Sequence, residues 1–225
     1  MDYPPVAIII PTYNRAKIVH WTIALLRSNL RYSGQFRFYV GCDGTDNTPD
    51  ALSDSDCIIL TPGSGSLGAN LNRLIARAQA DGIDYYFSLD DDHWLLNRIN
   101  LDPHVERLIN DTSSGWIQML LDAVNDEHFE PSKFTAHVEG KYWRVHYDDQ
   151  DDWPFSFRAH LSTRAMHEAL GKFLEGVVPG ICEWEFNQRS KTLGVSGKLP
   201  SVLLPVCAYG YSFWAHVGQG PSRKR

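Results

Sequence analysis

The chain has 225 residues, of which 43% are hydrophobic, 21% charged and 12% aromatic, and its formal net charge is −6. The length suffices for a buried core, the apolar fraction excludes a disordered chain, and 17 glycines with 12 prolines exclude a fibrous or low-complexity protein. The excess of 27 acidic over 21 basic residues argues against wholesale coating of nucleic acid.

The first half alternates strand and helix signals. Residues 6–10 form a β-branched apolar run that reads as a buried strand ending at Pro11. Pro11-Thr12-Tyr13-Asn14-Arg15 then reads as a turn with Asn14 as a helix N-cap, and a helix follows over 16–30 with Ile18, Trp21, Leu25 and Leu26 on its apolar face. Residues 36–40 alternate as a second strand that runs into Asp43-Gly44-Thr45, and 57–60 form a third. A loop at 63–66 leads into an amphipathic helix marked by Leu67, Leu71, Leu74, Ile75 and Ala78. The fourth strand, 85–89, runs into Asp90-Asp91-Asp92. This alternation predicts an α/β fold with a Rossmann-like, mostly parallel central sheet flanked by helices. Ligands of such sheets bind beyond the carboxyl ends of the strands, where the polar clusters after strands one, two and four all fall.

The second half is less regular. Strands are predicted at 116–121 and 202–207, a hairpin arm at 142–147, an acidic loop at 148–152 and helices near 163–173 and 183–193. There are no repeats and no linker long enough to divide the chain. Cys42, Cys57, Cys182 and Cys207 are widely spaced and include no C-x-x-C pair, which fits a reducing compartment. Met1-Asp2-Tyr3-Pro4-Pro5 lacks the basic start of a signal peptide, and the apolar stretch 202–217 is broken by Pro205, Gly210 and His216, so no membrane span is expected and a cytoplasmic location is.

Chemistry concentrates in a few places. Three adjacent carboxylates at 90–92 repel one another unless something positive neutralises them, and hard divalent cations take such oxygen ligands. If the chain stays extended, Asp90 and Asp92 share a face and Asp91 points away; a solvated turn with Asp caps is the competing reading. Asp43-Gly44 is a common turn sequence, or a carboxylate held at the sheet edge for a base N–H. Gly63-Ser64-Gly65-Ser66-Leu67-Gly68 has the form of a dinucleotide fingerprint, which keeps a Rossmann-type NAD(P)-dependent oxidoreductase in play, although it follows the third strand rather than opening the fold. Glu183-Trp184-Glu185-Phe186-Asn187-Gln188-Arg189 opens a helix. Its acids complement the helix dipole and pair Glu185 with Arg189, or give Glu183 the role of a catalytic base. His216 among aromatics is either packed or ligating, and His93 is a weaker candidate.

Together these segments resemble the GT-A fold, specifically family 2 nucleotide-sugar glycosyltransferases. The stretch 6–15 matches the family's opening strand and nucleotide-contacting turn, Asp43-Gly44-Thr45 stands where the family contacts the base, and Gly68-Ala69-Asn70-Leu71-Asn72 resembles its G-x-x-x-N stretch. Leu89-Asp90-Asp91-Asp92 is similar to the D-x-D motif. The resemblance implies nucleotide-sugar binding by Pro11, Thr12, Tyr13, Arg15, Asp43, Gly68, Asn72, Asp90 and Asp91, and a metal, Mn²⁺ or Mg²⁺, on Asp90, Asp92 and His216. Cys182 and Glu183 fall on the family's E-D pair, which implies Glu183 as base with Glu185 as fallback.

The implied reaction moves a sugar, with inversion, from a nucleoside diphosphate-sugar (a UDP-sugar is favoured) to an acceptor hydroxyl. A catalytically inert nucleotide-sugar binder of the same fold is a further alternative. One domain over 1–225 is expected, with a nucleotide-sugar half at about 1–95, a smaller acceptor half at about 96–218 and a basic tail at 219–225. The acceptor is open among a glycan, a small molecule and a modified nucleic acid. Tyr142, Trp143, Trp153, Phe155 and Phe157 are the aromatics available to stack on it.

Overall fold

The computed structural model describes residues 2–45, 50, 52, 57–61, 63–119, 136–145, 157–196, 201–205 and 214–217. The predicted acidic loop, Trp153, Phe155, Cys207 and the basic tail lie outside them. The first half follows the predicted alternation: β1 (Val6–Thr12), α1 (Ala16–Asn29), β2 (Leu30–Arg31), β3 (Phe36–Cys42), β4 (Cys57–Leu60), α2 (Leu67–Ala80) and β5 (Tyr85–Ser88). Then come β6 (His93–Leu95), β7 (Ile99–Asn100), α3 (Asp102–Asn110), β8 (Ser114–Gln118), β9 (Ala136–Glu139), β10 (Tyr142–Val145), β11 (His160–Thr163), α4 (Arg164–Leu170), α5 (Pro179–Val195), β12 (Ser201–Pro205) and β13 (Trp214–His216).

Among the described residues, one nine-stranded sheet runs in the order β4-β3-β1-β5-β11-β8-β12-β10-β9. Only β11 and β10 reverse direction, so the other seven strands point the same way and the sheet is mostly parallel. Strand β1 is central and buried on both faces, which is why its sequence is continuously apolar. Val6, Ile8 and Ile10 pack beneath α1 and α3, whereas Ala7 and Ile9 pack beneath α2 and α5. The strand continues through Pro11 and Thr12 because its pairing with β5 stops at Ile9, so a residue without an N–H leaves no ladder bond unmade on that side.

Three expectations are corrected. Asn14 is not an N-cap: it sits at φ 52°, and its Oδ1 accepts the Thr45 N–H at 2.7 Å. That contact leaves no room for a Cβ at Gly44, where one would stand 2.0 Å from the same oxygen. The buried face of α1 is Val19, Thr22, Ile23 and Leu26, and Trp21 is 57% exposed. Two apolar stripes overlap on this helix, and the sheet takes the one spaced i, i+4, i+7. Helix α5 starts at Pro179, a residue whose missing N–H suits a first helical position, so Glu183 lies in the second turn rather than the first. Among the described residues no helix is long and apolar enough to cross a membrane.

Candidate active site

The carboxyl ends of β1, β3 and β5 form one edge, and the acid triplet leaves β5 there. The chain does not stay extended: it turns at Asp91 and Asp92 and enters β6 at His93. Asp91 faces inward, where Thr12 Oγ1 donates to its Oδ2 at 2.6 Å and Arg15 Nη1 to its Oδ1 at 2.8 Å. The same Arg15 nitrogen donates to Asp92 Oδ2 at 2.7 Å. Thr22 on α1 donates to the Asp91 carbonyl and so locks the turn from behind. One guanidinium thus binds two buried carboxylates, an arrangement the alternation argument did not anticipate. Burial pushes the Asp91 carboxyl up, and the Thr12 hydrogen bond and the Arg15 charge oppose it.

Asp90 behaves differently. Its side chain is 40% exposed and lines the cleft. Its carboxyl is pushed well above the usual range, first by burial low in the cleft, then by the negative charges of Asp92, Asp91 and Glu183, with Arg15 opposing. Ligand atoms of Asp90, Asp92 and His93 lie within 4.8 Å of one another. Two carboxylates and an imidazole fit Mn²⁺, which accepts both oxygen and nitrogen donors, better than Mg²⁺, which prefers oxygen. His216 enters through the backbone: it pairs opposite His93 across β13 and β6, and the next amide, Val217, donates to the Asp92 carbonyl at 3.0 Å. Its side chain lies outside the described residues.

Glu183 on α5 stands near the triplet. The Phe157 N–H donates to its Oε1 at 3.1 Å, and its charge is close enough to act on Asp90. Glu185, two residues on, turns to a different face of the helix and accepts from Arg189 Nη2 at 2.5 Å; Arg189 also holds the carbonyls of Leu170 and Lys172. The structure therefore brings Glu183, and not Glu185, to the acid triplet. Cys182 is buried, with its thiol pushed up to about 11 by burial.

The other predicted binders are placed as follows. Pro11 lines the cleft beside Asp90, and Tyr13 is half-buried just beyond β1. Asp43 closes β3 with its carboxylate turned onto the glycine loop, where Ser64 donates from its N–H at 2.5 Å and from its hydroxyl at 2.8 Å. Asn72 ties α2 to the segment before α5: its Nδ2 donates to the Phe173 carbonyl and to Glu175, and its Oδ1 accepts the Phe173 N–H. Gly68 is packed against that segment too. A Cβ there would stand 2.1 Å from the Leu174 carbonyl oxygen and 3.1 Å from Cys182 Sγ. The start of α2 is thus covered by protein, which removes the dinucleotide cradle that the glycine pattern suggested.

Gly68→Ala is expected to destabilise the fold by about 1–3 kcal/mol, the usual cost of overpacking, and to lower the melting temperature by several degrees. A midpoint within a degree of wild type would show that the 174 segment gives way freely. Of the aromatics considered for the acceptor, Tyr142 and Phe157 are buried core residues. Thr22 and His93 complete the site, and the sequence offered a signal only for His93, through its adjacency to the triplet.

The model of the family described as Glycosyl transferase family 2 matches residues 7–169, a stretch that holds the triplet and stops short of Glu183. Among solved structures, S. aureus TarS 1–349 superposes with a TM-score of 0.63 at 16% identity, over 93% of this chain and 58% of that one. The same TarS fragment in complex with UDP-GlcNAc gives 0.65 at 14% identity, over 99% and 62%. Mannosyltransferase PcManGT from Pyrobaculum calidifontis, in complex with GDP-Man and Mn²⁺, gives 0.57 at 16% identity, over 90% and 55%. The chain spans a little over half the length of these neighbours, and at such identities the likeness establishes the shared fold, GT-A. No curated protein matches the sequence.

Proposed function

The chain belongs to glycosyl transferase family 2, and from that premise we propose that it transfers a sugar from a nucleoside diphosphate-sugar, a UDP-sugar by preference, to an acceptor hydroxyl with inversion at the anomeric carbon. The observation that carries this reading is the juxtaposition of a carboxylate-imidazole cluster, Asp90, Asp92 and His93, with Glu183, whose carboxylate is near enough for its charge to act on Asp90. Structural neighbours bound to UDP-GlcNAc, UDP and GDP-Man support a nucleotide-sugar as the donor class.

Each residue then has a task. The turn Pro11-Thr12-Tyr13 and Asp43 form the ledge for base and ribose at the ends of β1 and β3. Arg15 neutralises Asp91 and shares its charge with Asp92, so that Asp90 and Asp92 keep a fixed spacing toward the diphosphate. Gly68 and Asn72 act at one remove by fastening the segment that leads into α5. A divalent cation held by Asp90, Asp92 and His93, with the His216 imidazole as a further ligand, supplies Lewis-acid stabilisation of the diphosphate. On the opposite side, Glu183 takes the proton from the acceptor hydroxyl as the new glycosidic bond forms and the bond to the diphosphate breaks. A single displacement of this kind inverts the anomeric centre. The acceptor side falls to residues beyond about 96.

Ligand-dependent melting tests the donor class. At 100 times Kd a ligand adds about 2.7 kcal/mol, which for a chain of this length raises the melting temperature by roughly 5–10 °C. A nucleoside diphosphate with Mn²⁺ is expected to produce such a shift, and NAD(P) none. If no uridine, guanosine, cytidine or thymidine diphosphate moves the midpoint, with or without Mn²⁺, the reading fails.

A further inference from the structure

Below Asp90 a small cavity of about 10 Å³ opens between α2 and the sheet, lined by Leu67, Leu71, Phe157 and Phe173 together with Asp90 and His160. Its volume is that of a single water-sized group. His160 opens β11 directly opposite Ser88 of β5, which places it beside the strand end that carries the triplet. The residue is 3% exposed, and its ring lies flat on Trp116 with centroids 3.7 Å apart.

The tautomer follows from its contacts. Nδ1 stands 2.7 Å from the Arg158 carbonyl, an oxygen that only accepts, so Nδ1 carries the hydrogen and Nε2 presents a lone pair. Burial pulls the imidazole pKa down to about 3 against the pull of the Arg158 carbonyl, so the ring stays neutral. Nε2 is buried and has no hydrogen-bond partner among the described residues. A buried acceptor without a donor calls for an explanation. One nitrogen is spent on Arg158 and one ring face on Trp116, so the lone pair is the polar group this side chain has left unpaired beside the cavity it lines.

Phe157 borders the same cavity and its N–H holds Glu183. The cavity therefore borders both Asp90 and the residue that anchors Glu183, and the transferred sugar sits against it if the donor reading above is right. Resting on that reading, we propose that His160 is a specificity-determining residue for the donor: its Nε2 accepts a hydrogen bond from an O–H or N–H of the transferred sugar, whose substituent enters this cavity. Ser88, likewise 3% exposed, is a second neutral side chain of this lining that can accept, but a sugar lacking a donor at this position leaves the His160 lone pair unpaired and is disfavoured.

The test uses UDP, UDP-glucose, UDP-GlcNAc, GDP and GDP-mannose with Mn²⁺ in calorimetric titrations of wild type and His160→Phe, a change that keeps the stacking on Trp116 and removes the acceptor. The variant is expected to lose about tenfold of the preference for the sugar nucleotide over its bare diphosphate, as one hydrogen bond is worth, with affinity for the bare diphosphate unchanged. A variant that keeps the full preference overturns the proposal. In ¹⁵N-histidine-labelled wild type, where folding of a variant plays no part, the His160 Nε2 resonance is expected to move with the sugar nucleotide and not with the bare diphosphate. The same response to both overturns the assignment of His160 while leaving the donor reading intact. A wild type that binds none of the diphosphates overturns the donor reading itself.

Discussion

Glu183→Gln is expected to lower kcat for sugar transfer by about a thousandfold or more, within the range that a positioned base contributes, while nucleotide affinity stays within about threefold of wild type. The substitution isolates the proton. Gln keeps the length of the side chain and a carbonyl oxygen able to accept the Phe157 N–H that anchors Glu183, so geometry is held while basicity is lost. Steady-state kinetics together with titration of the nucleoside diphosphate separate the two effects, since a base acts in the transition state and adds little to ground-state binding. Glu185→Gln is the matched control. That carboxylate is tied to Arg189 and turned away from the triplet, so its loss weakens a helix contact and leaves the chemical step alone. Unchanged turnover in Glu183→Gln would remove this residue from the reaction. Absence of transfer in the wild type, with tight nucleotide binding, would identify an inert binder.

The base position also shows how far the sequence could be read. Strands β1, β4 and β5 were legible as compact apolar runs that end in turn residues and β3 by its alternation, and the triplet marked the sheet edge. In β1, burial on both faces makes the run conspicuous. Among the later strands, β8, β10 and β12 were predicted close to where they lie, at 116–121, 142–147 and 202–207, whereas β6, β9, β11 and β13 carry no such mark. His160-Leu161-Ser162-Thr163 reads as the approach to a helix, and becomes β11 because it fills the slot between β5 and β8. Strand β6 is three residues long and is defined by its pairing with β13, a partner 123 positions away at the His93–His216 register. Short strands of this kind are set by tertiary pairing, which propensity does not encode.

The same limit applies to the site. The sequence pointed to Asp90 and Asp92 as candidate metal ligands and to Glu183 as a candidate base, and ligand atoms of Asp90 and Asp92 do lie within 4.8 Å of His93. What stayed hidden was the inward half: that Arg15 reaches from the start of α1 to clamp Asp91 and Asp92, and that Thr22 holds the backbone between them. The glycine loop has the form of a dinucleotide fingerprint for a local reason: Gly68 makes room for the Leu174 carbonyl, and the loop's Ser64 satisfies Asp43.

The clamp leads to the second large effect. Asp92→Asn is expected to abolish Mn²⁺-dependent nucleotide binding and to reduce turnover by at least about a hundredfold, without lowering the melting temperature in EDTA by more than about 2 °C. Removing one member of a buried ion pair ordinarily costs 3–5 kcal/mol, because the partner is left charged and alone. Here the partner is not left alone, since Arg15 Nη1 keeps Asp91 at 2.8 Å. Three neighbouring carboxylates face one guanidinium, so neutralising one of them also relieves the repulsion that acts on Asp90. The fold therefore tolerates the loss of this charge, and the cation site does not, because it loses one of two carboxylates that sit within 4.8 Å of His93. Titration of Mn²⁺ and a nucleoside diphosphate into wild type and variant, with melting curves in EDTA, reads both quantities. Mn²⁺-dependent binding that survives in Asp92→Asn would place the cation elsewhere, and a collapse of the melting temperature in EDTA would make the triplet a structural ion-pair network in which Asp92, not Asp91, satisfies Arg15.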